Sequence, residues 1–123
     1  MAYLWIGLGA VLGASARYFL SGYVAKSFAS SFPYGTLLIN ISGSLLLGFF
    51  PVLTGERLLV DARWRLLIAI GFCGSYTTFS SYAFETFALF EQGQWLLVAW
   101  NIFASNLFCL AAVLTGAALA RPL

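Results

Sequence analysis

The chain has 123 residues, of which 62% are hydrophobic and 8% charged, with a formal net charge of +2 and no histidine. An average soluble domain is about one quarter charged, so this composition excludes a soluble globular protein, and the near-neutral balance without a basic run points to no nucleic acid as partner. The missing imidazole removes the commonest general base and metal ligand, and the length accommodates about four spans of roughly 20 residues. The expected architecture is therefore an all-α integral membrane protein with four transmembrane helices in a single domain covering residues 1–123.

The first span is expected at about residues 2–22. The N-terminus lacks a basic leader and runs straight into apolar sequence, which reads as a span and not as a cleavable signal. Gly9 and Gly13, with Ala10 and Ala14 beside them, form a small-residue face that lets another helix approach closely. Arg17 lies one turn beyond Gly13. It reads equally as a snorkelling anchor or as a fixed positive charge at a pore mouth. A connector from Tyr23 to Tyr34 follows, with Lys26, several serines and Pro33, and Pro33 suits the start of the next helix.

The second span, about 35–54, carries Thr36, Asn40 and Ser44 at intervals of four on an otherwise apolar helix. Asn40 reads either as a helix–helix hydrogen bond or as an amide N–H offered to an anion. Gly55 to Arg63 is expected as a polar loop containing Glu56, Arg57, Asp61 and Arg63, with Trp64 and Arg65 as an interface anchor.

The third span, about 64–90, contains the most unusual stretch in the chain. Gly74, Ser75, Thr77, Thr78, Ser80 and Ser81 crowd its middle, where lipid favours leucine and valine. Glycine is a poor helix former, and serine and threonine offer the backbone competing hydrogen bonds. The helix is therefore expected to be broken near its middle. A break at membrane depth is tolerated where it lines a cavity or binds something. Phe79 and Tyr82, three residues apart, share one face if helix resumes after the break. Glu85 is a buried carboxylate by default a functional candidate, with partial exposure near the Glu91-Gln92-Gly93-Gln94 loop as the rival reading.

The fourth span, about 95–120, repeats Asn101, Ser105 and Cys109 at intervals of four, a second polar stripe able to face the one on the second span. Cys73 and Cys109 both fall inside spans and read as packing residues. The N-terminus, second loop and C-terminus share a side holding Arg57, Arg63, Arg65 and Arg121, against Lys26 on the other, a bias toward termini inside.

Three motifs together resemble the CrcB/Fluc family of fluoride ion channels: GxxxGAxxRY from Gly9 to Tyr18, GTLLINISGS from Gly35 to Ser44, and GFCGSYTTFSSYAFE from Gly71 to Glu85. The resemblance covers nearly the whole chain. It implies an antiparallel, dual-topology homodimer in the lipid of the cell inner (plasma) membrane. Each dimer has two pores for passive export of fluoride, which accumulates inside as HF enters and ionises. It implies a structural sodium ion (Na+) at the dimer interface, held by backbone carbonyls at Gly74 and Thr77. It maps Phe79 and Tyr82 to the pore aromatics, Asn40 and Ser105 to polar pore positions, Thr78 and Thr36 to further candidates, and Arg17 to the vestibule. Two positions depart from the family: Tyr82 stands where phenylalanine is frequent, and Asn101 where some relatives have tyrosine.

Three rivals are weaker. A small dual-topology, proton-coupled exporter of cationic compounds needs a membrane-embedded carboxylate, and Glu85 is poorly placed for it. A non-conducting assembly subunit accounts for GxxxG but not for the break and the paired aromatics. An enzyme lacks any evident nucleophile–base pair.

Overall fold

The computed structural model describes residues 1–57 and 60–123, and the described residues contain helices and connections but no strand. In chain order these are α1 (Ala2–Ser27), α2 (Tyr34–Val52) prolonged by a π-helical turn π1 (Leu53–Arg57), α3 (Ala62–Trp64), π2 (Arg65–Cys73), α4 (Gly74–Tyr76), α5 (Phe79–Glu91) and α6 (Trp95–Ala120). Three helices are long and apolar enough to cross a bilayer on their own: Ala2–Ser27, Tyr34–Gly55 and Trp95–Ala120, with mean hydropathies of 1.3, 1.9 and 2.0. The remaining crossing is composite, a helical run from Ala62 to Tyr76 followed by α5.

Helix ends follow local chemistry. The first helix continues past Gly22 to Ser27, with Lys26 in its last turn where a cation meets the carbonyl end of the helix dipole. The Ser27 hydroxyl donates back to the Tyr23 carbonyl at 3.0 Å, so the expected connector is shorter and begins at Phe28. At the same end of the bundle, where Ser31 hydrogen-bonds to Gln94, Gly93 has φ +71, a left-handed conformation that glycine adopts without a Cβ penalty. There the Gly93 N–H donates to the Phe90 carbonyl and the Gln94 N–H to the Leu89 carbonyl, both at 3.0 Å, a Schellman cap that ends α5 and turns the chain into α6.

Part of the loop expected from Gly55 to Arg63 is helical, and its residues 58–59 lie outside the described residues. Asp61 caps α3, its carboxylate accepting from the Arg63 backbone N–H at 2.9 Å and from the Arg63 guanidinium at 2.7 Å. These hydrogen bonds hold the Asp61 carboxyl below the usual carboxylate range. The same guanidinium lies 5.6 Å from the centre of the Trp5 ring. This joins the start of α1 to the start of α3 where Trp64 also sits.

Two seams of close backbone contact organise the bundle. In the first, α1 packs on π2 and α4: a Cβ added at Gly9 would collide with the Leu67 carbonyl, and one at Gly13 with the Phe72 carbonyl. In the second, α2 packs on α6: a Cβ at Gly48 would strike the Val113 carbonyl and one at Gly116 the Leu45 carbonyl. Small residues let helices in a membrane gain dispersion contact where lipid gives no hydrophobic drive for association. The second half of the composite crossing changes partner. While π2 and α4 lie on α1, α5 leans on α6. The break falls where the chain moves from one neighbour to the other.

Candidate ion pathway at the broken helix

The break is two residues long. Thr77 (φ −79, ψ 153) and Thr78 (φ −150, ψ 115) are extended, with helix on both sides. The Thr77 N–H still donates to the Cys73 carbonyl at 3.0 Å, but beyond it the i→i−4 ladder stops and several backbone groups need other partners. The neighbouring segments supply them residue by residue. The Arg17 Nε donates to the Ser75 carbonyl at 3.1 Å. The buried Tyr76 places its hydroxyl 2.9 Å from Ser42 Oγ. Thr77 packs its methyl against Gly43, where a Cβ would collide with it. Asn40 takes both backbone groups of Thr78: its Oδ1 accepts from the Thr78 N–H at 2.8 Å and its Nδ2 donates to the Thr78 carbonyl at 3.0 Å. Thr78 then caps α5, its hydroxyl accepting from the Ser81 N–H at 3.1 Å.

This geometry resolves the two readings of Asn40. Its amide is engaged with backbone across 38 positions and not with another side chain. An amide nitrogen has two N–H groups, and one remains beyond the bond to Thr78. Beside it lies a groove of about 350 Å³ whose walls include Asn40, Ser44, Thr78, Phe79, Tyr82 and Ser105. The five expected pore positions thus come together. Phe79 and Tyr82 meet edge to face, with ring centres 5.3 Å apart and planes at 61°. Phe79 is 78% exposed in the single chain, so its ring is presented at the groove's open side and not packed inside the protomer.

Other expectations need correction. Arg17, expected as an anchor or a vestibule charge, donates its Nε to the Ser75 carbonyl. Thr36 faces away from the groove: its hydroxyl donates to Glu85 at 2.5 Å. Those two residues, with Ser21, Ser80, Ser81 and Phe84, line a separate hollow of about 330 Å³. The polar stripes on α2 and α6 meet at the groove through Asn40 and Ser44 on one and Ser105 and Cys109 on the other, while Asn101 turns to α5. Asn101, 1% exposed, donates to the Thr86 hydroxyl on α5 at 2.9 Å, and Thr86 donates to the Tyr82 carbonyl at 2.7 Å. Ser105 donates to Asn101 Oδ1 at 3.4 Å, so Asn101 links the groove wall to the pore-facing helix. The contacts of Arg17 and Tyr76 were not evident from their own neighbourhoods. The one hint was the concentration of polar tips around an otherwise apolar break.

The carbonyls of Gly74 and Thr77 can be tested as cation ligands. Their helical donors are diverted, the Thr78 N–H to Asn40 and the Ser81 N–H to the Thr78 hydroxyl. Among the described residues no hydrogen bond reaches either oxygen. Gly74 is exposed in the single chain. Neutral backbone oxygens without donors suit a hard cation, so the residues present fit a sodium ion.

A bundle of apolar helices around a polar, unwound segment defines a multi-pass membrane protein of the channel and transporter class, in which irregular backbone survives at depth only beside a cavity. The family model described as CrcB-like protein, Camphor Resistance (CrcB) matches residues 4–117, and the chain belongs to that family. A fluoride-specific ion channel FluC of Koribacter versatilis (strain Ellin345) is 61% identical over 121 residues, covering 98% of this chain and 96% of the relative. Proteins with the same name from Methylocella silvestris and Rhodospirillum rubrum are 48% and 46% identical over 118 residues, each covering 94% of this chain and 90% and 92% of the relative. These are ion channels of the cell membrane and not enzymes.

Proposed function

We propose that this chain is a fluoride-selective channel that lets cytoplasmic fluoride leave the cell down its gradient. The observation that supports it most directly is the groove in which the Phe79–Tyr82 edge pair, the Ser105 hydroxyl and the amide of Asn40 converge. Fluoride is small and strongly hydrated, so a pathway must replace water without holding the ion too tightly. Aromatic ring edges carry positive quadrupole and face an anion weakly. The second amide N–H of Asn40 adds a donor beside them. Tyr82 adds a phenolic hydroxyl to this set, which lengthens the stay of the ion relative to a plain ring.

The functional unit is an antiparallel, dual-topology homodimer with two pores. The exposed Phe79 ring, exposed Gly74 and the donor-free carbonyls of Gly74 and Thr77 support it, since a second copy would give them partners. Gly74 and Thr77 would hold the sodium ion, which supplies positive charge to four carbonyls at the centre of the dimer. The loop arginines Arg57, Arg63, Arg65 and Arg121 against Lys26 bias a single orientation. Pairing of the two orientations therefore depends on this central contact.

The test is anion efflux from proteoliposomes holding the purified protein. Fluoride efflux with chloride retained is the expected result. Equal efflux of both, or none, refutes the reading, and proton-coupled movement of a cationic compound that stops in Glu85→Gln establishes the exporter instead.

A further inference from the structure

The bond from Arg17 to Ser75 joins the middle of α1 to the last turn before the break, across 58 positions. In an unbroken helix the Ser75 carbonyl would accept from the Phe79 N–H, which the extended Thr77 and Thr78 prevent. The helical run from Ala62 ends there with its carbonyls unpaired, and such an end carries partial negative charge that a cation offsets. We propose that Arg17 is a positioning residue for the break: its Nε takes the place of the missing helical donor and makes the continuous helix unfavourable. Were the helix to close, the Phe79 N–H would claim the Ser75 carbonyl and leave a guanidinium without its partner at membrane depth. A charge there is costly unless it is bonded. Arg17 therefore fixes where α5 begins, and with it the stance of Phe79 and Tyr82, without touching the ion.

The contact atom makes this separable from a pore-mouth charge. In glutamine the amide nitrogen is as many bonds from Cα as the arginine Nε, so Arg17→Gln keeps a donor at the same reach and removes the charge. In lysine the charge is kept and the nitrogen lies one atom farther out. The experiment measures the maximal rate and half-saturating concentration of fluoride efflux for wild type, Arg17→Gln, Arg17→Lys and Arg17→Ala. It also measures hydrogen exchange at the Phe79 and Ser80 amides in detergent. Because a charge-assisted hydrogen bond is lost, Arg17→Ala is expected to lower the maximal rate by about tenfold or more and to slow that exchange as the helix closes. Arg17→Gln, which keeps the donor but not its charge, is expected to fall between wild type and Arg17→Ala in both.

A pore-mouth charge predicts the reverse. Arg17→Gln would then behave like Arg17→Ala, Arg17→Lys would recover, half-saturation would shift with ionic strength, and exchange would not change. That pattern overturns the proposal, as does an Arg17→Ala protein with wild-type rate and exchange. If Arg17→Ala does not fold, the Gln and Lys pair decides in the same way. The rate readout rests on the fluoride reading. A wild type without fluoride efflux refutes that reading, while the exchange comparison still decides the role of Arg17.

Discussion

Asn40→Leu isolates the grip of α2 on the break. Leucine nearly matches asparagine in shape, so packing is kept while both hydrogen bonds to the Thr78 backbone, at 2.8 and 3.0 Å, disappear. Each orphaned backbone group costs about 1–3 kcal/mol, so about 2–6 kcal/mol is at stake for the pair. The chain can avoid much of that cost by returning the Thr78 N–H to the Gly74 carbonyl and closing the helix. Since about 1.4 kcal/mol is tenfold in an equilibrium, the lower bound shifts the balance of broken to closed helix by about 30-fold. Fluoride efflux from proteoliposomes should fall by at least about 30-fold, with a monodisperse protein of unchanged helicity confirming that the bundle survives. Efflux within about threefold of wild type would refute the idea that Asn40 maintains the break. Asn40→Asp should also block efflux, because it turns a carboxylate oxygen on the Thr78 carbonyl.

Phe79→Ile removes the ring edge while keeping an apolar side chain, and should cut fluoride efflux by at least about tenfold with the dimer intact on size exclusion; wild-type efflux would remove the ring from the pathway. Replacing sodium by a bulky organic cation should lower the melting temperature, since a ligand bound only to the folded state stabilises it; identical melting would dismiss the role assigned to the Gly74 and Thr77 carbonyls. Gly13→Val drives a side chain into the Phe72 carbonyl and should cost about 1–3 kcal/mol, read as a lowered melting temperature of the purified protein, whereas an unchanged one would mean the α1–π2 seam is loose.

Much of this was readable residue by residue. The fourth helix, Trp95–Ala120, follows from an apolar run set between Gln92-Gly93-Gln94 and Arg121-Pro122. The break was visible because Gly, Ser and Thr have no business in lipid unless backbone needs freeing there. Its location on Thr77 and Thr78, past Gly74, was not legible: the backbone there is met by Arg17 and Asn40 on two other helices, and long-range partners leave no local pattern. For the same reason Arg17 showed only its charge and its distance from the span's end. The pairing of Asn101 with Thr86 was hidden because a polar stripe states that a helix needs a polar neighbour without saying which one. The extension of α1 to Ser27 was missed because a polar last turn resembles a loop in composition, although Lys26 is a favourable residue there.

The change of neighbour at the break bears on how the protein is made. With 13 residues, α5 reaches about 20 Å, short of the roughly 30 Å of hydrocarbon, and the run from Ala62 to Tyr76 is hardly longer. Neither half can settle in the bilayer as an independent hairpin arm. The first can lodge against α1 as soon as it emerges from the ribosome, but the second touches α2 only slightly and gains its main packing surface when α6 has been synthesised. Biogenesis of this chain is thus expected to finish at its C-terminal helix, with α5 left as the last piece to dock.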